Sequence, residues 1–488
     1  MTSARRAGPQ RFAVIGGGMA GILSAVKLRE AGFTDIVVYE KADRLGGTWR
    51  ENTYPGVACD VPSHLYSYSF APNPEWSHVF SPGPEILAYL ESVARRFGVE
   101  KYVQYGTEVR RLAFTKGRWQ ITTSDGATDD ADVVIAATGV LHHPSYPVIE
   151  GLERFGGPVF HTARWDHSVP LDGARVGLIG TGSSSVQTIC ALVDTVGELV
   201  VFQRTPQWVL SVANPPITDD QRTEFRADPG VMAKARAELA TMFEEGFANA
   251  VVDAESAQVK LLQQLCEANL ETVADPDLRR RLRPAYRAAC KRLIISPNFY
   301  EAIQRPNARL VTDAIAGVEP QGVRTADGTL HALDALVLAT GFRVDRFLRP
   351  IEVVGRGGVS LDEVWSPRPW AYLSISVPEF PNLFMLNGPN GPVGNFSLID
   401  VAELQFGYVM QLIEELADGR CREISPTDAA ARRFEEERTA AAGKTVWVTG
   451  CRSWYLDDRG IPAVWPWTFT RFREEMARPD LAHYDLAG

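Results

Sequence analysis

At 488 residues, with 45% hydrophobic and 23% charged side chains, the chain can bury two or three cores and is not of disordered composition. A formal charge of -10 gives no basic field for a phosphate backbone, so small molecules are the expected partners, with no nucleic acid and no obligate protein partner. The cysteines, Cys59, Cys190, Cys266, Cys290, Cys421 and Cys451, include no CxxC pair for a redox dithiol or a zinc site; this usage fits a reducing cytoplasm, and no metal is expected.

In chain order, Arg5, Arg6 and Arg11 first precede the apolar run Phe12 to Val26, which imitates the charged and hydrophobic regions of a secretory signal. The same run reads as a nucleotide loop behind a frayed tail: a strand FAVI, then Gly16, Gly18 and Gly21, then a helix from Ala20 to Ala31. Gly16 permits the tight turn, Gly18 lets backbone approach a pyrophosphate, and Gly21 lets helix pack on strand, while the helix N-terminus attracts the anion. Glu40, 24 residues beyond Gly16 at the end of the strand DIVVYE, can accept from a ribose hydroxyl. The small residues of Leu45-Gly46-Gly47-Thr48-Trp49 suit close approach by a pyrophosphate or a flavin ring; a Gly-Gly turn before a buried tryptophan also occurs without any ligand. No stretch of eighteen uninterrupted apolar residues follows, so no membrane span is expected.

The segments ADVVIAATGV (131–140) and LDALVLATGF (333–342) are near-copies, each a buried strand running into Ala-Thr-Gly. They read as crossings between two nucleotide domains, one inserted in the other. The expected division is a flavin part at 1–142, a nicotinamide part at 143–210, a helical insertion at 211–290, a second nicotinamide part at 291–341 and a flavin return at 342–488.

A second loop, Gly180-Thr181-Gly182-Ser183-Ser184-Ser185, follows the strand RVGLI and precedes a helix. Ser185 replaces the third glycine, which weakens the helix-strand packing argument slightly but leaves the pyrophosphate turn of Gly180 and Gly182 intact. Arg204 stands 24 residues beyond Gly180, at the end of the strand ELVVFQR, where the first site has Glu40. A guanidinium forks onto a 2'-phosphate that a carboxylate repels, and Thr205 adds a hydroxyl, so the acidic first site suits FAD and the second NADPH. Alternatively, Arg204 merely ends a strand at a solvated surface. Residues 211–290 alternate polar and apolar positions with helical period and carry no motif; the acidic helix DAAARRFEEERTAA (428–441) is expected to face solvent.

Residues 155–166 match the pattern FxGxxxHxxxW(P/D) at Phe155, Gly157, His161, Trp165 and Asp166. With both glycine loops, GGTW, YPGVACD (54–60), Lys291-Arg292-Leu293 and both ATG strands, most of the chain resembles the type I Baeyer-Villiger monooxygenases, a class of flavin monooxygenase. The related N- and S-oxygenating enzymes usually lack the Trp-Asp or Trp-Pro ending. The resemblance implies an α/β fold with two Rossmann-like dinucleotide-binding domains and a helical insertion. It implies an FAD site at Gly16, Gly18, Ala20, Gly21, Glu40, Gly47, Thr48, Trp49, Asp60, Tyr66, Val109 and Leu398. It implies an NADPH site at Thr181, Gly182, Ser183, Ser184, Gln187, Arg204, Thr205, Lys291 and Trp454.

The implied reaction is insertion of one atom of O2 beside a ketone carbonyl, giving an ester or lactone, through an anionic C4a-peroxyflavin kept from water. Arg292 is implied as the cation that stabilises that anion, with Asp60 as its paired carboxylate. Residue chemistry alone leaves other readings open. Arg292 also belongs to a basic run with Arg279, Arg280, Arg281, Arg283 and Arg287 of the kind that lines solvated faces, and Asp60 suits a turn before Val61-Pro62. A lone histidine such as His161 is more often a positioning residue between domains than a catalyst. Trp454, in TGCRSWYLDD (449–458), resembles the tryptophan of a mobile loop that touches NADP, yet could pack with Trp465 and Trp467. The following YLDDRGIPAVWPW resembles a branch acting on larger or aromatic ketones. Two other functions stay in play: oxygenation of an amine or sulfide, and nonoxygenating electron transfer.

Overall fold

The structure is a computed structural model that describes residues 10–394 and 396–488. Arg5, Arg6 and the expected N-terminal tail lie outside the described residues, apart from its last residue, Gln10. The chain enters through β1 (Phe12–Ile15), α1 (Met19–Glu30), β2 (Ile36–Tyr39), β3 (Val103–Gln104) and β4 (Val133–Ala136). It continues through β5 (Val159–His161), β6 (Arg175–Ile179), α2 (Ser183–Leu192) and β7 (Glu198–Phe202). After the helix α3 (Pro229–Phe243) come β8 (Ala308–Val311), β9 (Ala335–Leu338), β10 (Leu383–Met385) and the 20-residue α4 (Leu398–Ala417).

These strands form two five-stranded parallel sheets, ordered β10-β4-β1-β2-β3 and β8-β7-β6-β9-β5. The sequences FAVI, IVVY and VVIA of β1, β2 and β4 are buried at every position. Continuous apolar runs of this kind are what parallel strands covered on both faces require. In each sheet a strand, β1 or β6, turns through glycines into a helix, α1 or α2, and both turns open at the carboxyl ends of the strands. β10 lies beside β4 although some 250 residues separate them, so the first sheet is completed only by chain that returns after the second.

Arg11 pairs with Asp35 and Asp129, and the run that follows it is core, so the signal-like reading of this segment is set aside. Within 211–290 the helical pattern becomes helices at Asp219–Ala227, Pro229–Phe243, Ala257–Leu270 and Pro276–Leu282. No helix among the described residues is long and apolar enough to cross a membrane.

One expectation needs correction. The helix Asp428–Ala442 is not a plain solvated surface: Ala430, Ala431, Phe434 and Ala442 are buried, and Arg438 is wholly so. Its guanidinium pairs with Glu435 at 2.7 Å and donates to the Pro462 carbonyl, so charge density in the sequence concealed an inward stripe. Ser185 stands where the first loop has its third glycine. It is fully buried, and its hydroxyl donates to the Gly180 carbonyl at 2.7 Å, tying α2 to the loop.

Candidate active site

The two glycine loops open onto one continuous cavity of about 1340 Å³. At the first loop Gly16, Gly18 and Ala20 line it, with Glu40, Gly47, Thr48, Trp49, Tyr66, Val109 and Leu398. Gly21 lies beneath: a Cβ there would fall 1.8 Å from the Gly16 carbonyl oxygen, so only glycine lets α1 sit this close to the turn. Gly47 serves loop packing as well as cavity shape, because a Cβ on it would meet the Gly18 Cα at 2.9 Å. Glu40 is buried and anchors the loop, accepting from the Gly17 and Ala42 amides at 2.7 and 2.9 Å. Arg50, which sequence reasoning missed, pairs with Glu40 at 3.1 Å and with Glu51 at 2.6 Å. Its only sequence signal was its place directly after GGTW.

At the second loop Thr181, Gly182, Ser183, Ser184 and Gln187 line the cavity, with Arg204, Thr205 and Lys291. Gly182 has open space where its Cβ would be. Thr181 donates through its hydroxyl to the Thr205 carbonyl at 2.8 Å. Gln187 is engaged elsewhere: it accepts from the Tyr54 hydroxyl at 2.7 Å and donates to Ala58 O at 3.1 Å, clasping the segment YPGVACD to α2. Lys291 stacks its ammonium over the Tyr286 ring, and burial followed by the nearby Arg204 holds it below the ordinary lysine range. Among the described residues neither Arg204 nor Lys291 has a carboxylate partner within ion-pair distance. Two neighbouring cations that lack an anion make a site for one.

Between the loops stands Arg292. Its guanidinium pairs with Asp60 and donates to the Gly394 carbonyl at 2.7 Å. The side chain is 29% exposed; burial works against its charge, but Asp60 and Tyr455 together outweigh it and hold the guanidinium above its ordinary range, so it is cationic at every working pH. It therefore does not belong to the solvated basic run, whose Arg279, Arg280, Arg281, Arg283 and Arg287 pair with Glu271, Asp277 and Glu255 on the surface. Tyr455, also missed from sequence, is buried beside Arg292, and burial raises its phenol above the ordinary range.

Trp454 lines the cavity and is 40% exposed, its ring against Tyr455. Trp465 and Trp467 pack on each other and on Phe434 instead, so the plain aromatic-cluster alternative does not describe Trp454.

Phe155, Gly157, His161, Trp165 and Asp166 are not brought into the cavity. His161 ends β5, is 1% exposed, and accepts through Nδ1 from the Ala163 amide at 3.0 Å, with Tyr146 and Phe342 against its ring. Burial holds its pKa down at about 4. A Cβ on Gly157 would fall 2.3 Å from Asp334 O, Trp165 packs on Phe160, and Asp166 caps a surface turn at Ser168. These residues shape the connection into the second sheet.

Cys290, next to Lys291, is joined by a disulfide to Cys451, next to Arg452. Cys59, Cys190, Cys266 and Cys421 are free. The absence of any CxxC concealed this pair, because 161 residues separate its members. Among the described residues no cluster of His, Cys, Asp and Glu could hold a metal ion.

Comparison with known proteins places this geometry in context. The profile of flavin-binding monooxygenase-like proteins matches residues 9–218. The sequence is 46% identical over 474 residues to an uncharacterised monooxygenase of Mycobacterium tuberculosis, covering 97% of this chain and 95% of that one. It is 42% identical over 483 residues to a Baeyer-Villiger monooxygenase of Streptomyces coelicolor, covering 98% and 92%. The crystal structure of cyclohexanone monooxygenase from Rhodococcus sp. Phi1 bound to NADP+ superposes with a TM-score of 0.87 at 31% identity, covering 98% of this chain and 99% of that one.

Proposed function

The chain belongs to the Baeyer-Villiger branch of the class B flavin monooxygenases, enzymes with FAD and NADPH as cofactors, and from that premise we propose that it oxidises a ketone to an ester or lactone with NADPH as obligate reductant. The observation that carries this reading is the position of Arg292, a permanent cation held by Asp60 and Gly394 on the wall of the cavity that both glycine loops share.

The residues fit both cofactors. The first loop, with its glycine-lined floor and Glu40, would hold FAD, and Thr48, Trp49, Tyr66 and Leu398 would bound the flavin. The second loop would hold NADPH, with Arg204 and Lys291 on the 2'-phosphate that supplies their missing anion. In this reading residues 143–210 and 291–341 are the nicotinamide module and the rest of the α/β framework is the flavin module. Bound flavin supplies hydride acceptance from NADPH and activation of O2.

The protein's own part is electrostatic and steric. Arg292 stabilises negative charge on oxygen, both on the attacking species and on the former carbonyl oxygen after addition. Asp60 fixes the guanidinium plane, so the cation need not reorganise as charge develops. Trp454, in the cavity wall, and the buried Tyr455 against it stand beside Arg292, where they would limit water near the cation.

The test is a product assay. Purified enzyme with FAD and NADPH is given a mixed panel of ketones and sulfides under isotopically labelled O2, and the products are read by mass spectrometry. One labelled oxygen in an ester or lactone is expected. Sulfoxide as the sole labelled product would assign heteroatom oxygenation instead, and NADPH oxidation with no labelled product would assign electron transfer.

A further inference from the structure

We propose that Cys290 and Cys451 form a reversible thiol–disulfide site that clamps the segment Arg452–Tyr455 beside Lys291 and Arg292. The bond joins two points that sequence keeps far apart, with Cα atoms 6.1 Å from each other. On one side, Cys290 directly precedes the two cations, Lys291 and Arg292, that line the cavity. On the other, Cys451 directly precedes Arg452, Ser453 and Trp454, which line the same cavity, and Tyr455, which lies against Arg292.

Arg452 and Trp454 are exposed, and no regular helix or strand runs through 451–456. Tyr455 is anchored by its aromatic contact with Trp447, in a small apolar cluster shared with Ala289, Val446 and Val464, by its side-chain hydrogen bond with Arg292, and by its carbonyl, which accepts from the Ala463 amide at 2.7 Å. The covalent link thus tethers at its base the stretch Arg452–Trp454, which lies between the disulfide and the Tyr455 anchor. Cys290 is wholly buried and Cys451, at 7% exposure, is the less buried of the two, with the exposed Arg452 directly after it.

The chemistry balances with a hydroperoxide as oxidant. Two thiols and one hydrogen peroxide give one disulfide and two waters: both S–H bonds break, an S–S bond forms, and the O–O bond takes up the two electrons. A dithiol such as dithiothreitol reverses it by thiolate attack on sulfur, becoming a cyclic disulfide while both cysteines regain their protons. Hydrogen peroxide is also the product expected when activated oxygen at a flavin meets water rather than substrate. In that event, peroxide escaping from an open site re-forms the clamp. That consequence rests on the oxygenase reading above; the clamp itself does not.

The experiment compares FAD-loaded enzyme treated with dithiothreitol, or with dithiothreitol followed by removal and hydrogen peroxide. Alkylation and peptide mapping should show the linked Cys290 and Cys451 peptides lost on reduction and regained with peroxide, with Cys421 alkylated to the same extent throughout. Limited trypsin digestion should cut after Arg452 several-fold faster in the reduced enzyme and in C451S, and C451S should not respond to peroxide. C421S should behave as wild type. Thiols at Cys290 and Cys451 that stay free after peroxide, or Arg452 cleavage equal in all forms, would overturn the proposal. A clamp that cycles in an enzyme unable to bind NADP+ would count against the nicotinamide site alone.

Discussion

Arg292 and Asp60 form an ion pair across 232 residues of sequence, joining the segment YPGVACD that follows the first loop to the segment that follows the helical insertion. The Gly394 carbonyl holds the guanidinium through its other terminal nitrogen. Three distant parts of the chain thus fix one cation, and the first prediction follows from it. Arg292→Ala should still be reduced by NADPH but should form oxygenated product roughly 100- to 1000-fold more slowly, the cost of removing one preorganised charge stabiliser. Stopped-flow reduction and product yield separate the two steps; unimpaired product would remove Arg292 from the chemistry. Asp60→Ala should lose less, because the cation remains but its orientation does not.

Among the described residues Arg204 and Lys291 face the cavity without a carboxylate partner, so a phosphate bound there would gain two charge-assisted contacts at once. Losing one such contact costs about 1.5–3 kcal/mol, so Arg204→Ala should raise the KM for NADPH roughly 10- to 100-fold. KM for NADH should change little. Steady-state assays with both cofactors check this, and equal losses would place the contact elsewhere than the 2'-phosphate.

His64, His142 and His161 are each held down at about 4 by burial, His161 with a smaller push from Arg164. For His161 the geometry agrees: Nδ1 already accepts from the Ala163 amide, and a proton there would set two N–H groups face to face. Unfolded chain takes up these protons near pH 6.5 and folded chain refuses them, so stability is complete above 6.5 and falls as pH drops toward 4. Each histidine contributes a slope of about 1.4 kcal/mol per pH unit in that window. Asp400, pushed up to about 7, and Glu403, also raised, act oppositely, since their folded carboxyls hold protons that the unfolded chain has released. Three histidines against two carboxyls leave a net loss of Tm between pH 6.5 and 4.5. His161→Gln should be less stable at pH 7.5, with the gap to wild type narrowing by pH 5; a constant gap would show that His161 is not titrating in the unfolded chain alone.

What was legible in the sequence was whatever chain neighbours determine. FAVI, IVVY and RVGLI became strands because continuous apolar runs fit only covered parallel sheets, and equal 24-residue spacings placed Glu40 and Arg204 at matching strand ends. The side-chain partnerships were not legible. Nothing local ties Tyr54 to Gln187, Arg50 to Glu40 or Cys290 to Cys451, since each pair meets only after two sheets have packed or a loop has folded back. The helix at 428–442 shows the limit of composition: its charge suggested solvent, yet Arg438 is buried because Glu435 and a carbonyl satisfy it.

The third position of each nucleotide loop offers a matched pair of substitutions. A Cβ on Gly21 would fall 1.8 Å from the Gly16 oxygen, a clash with backbone that no rotamer change relieves. Gly21→Ala should therefore push α1 off the turn and yield protein with little bound flavin, visible as lost absorbance in the flavin band. Ser185 occupies the equivalent place in the second loop, where backbone spacing already accommodates a side chain and its hydroxyl donates to Gly180 O. Ser185→Gly should lose that hydrogen bond, about 1 kcal/mol, and gain helix entropy cost without relieving any clash. Its Tm should fall modestly while KM for NADPH stays near wild type. A Ser185→Gly enzyme that binds NADPH more tightly would mean that the serine obstructs the phosphate approach, and that the two loops follow one glycine rule after all.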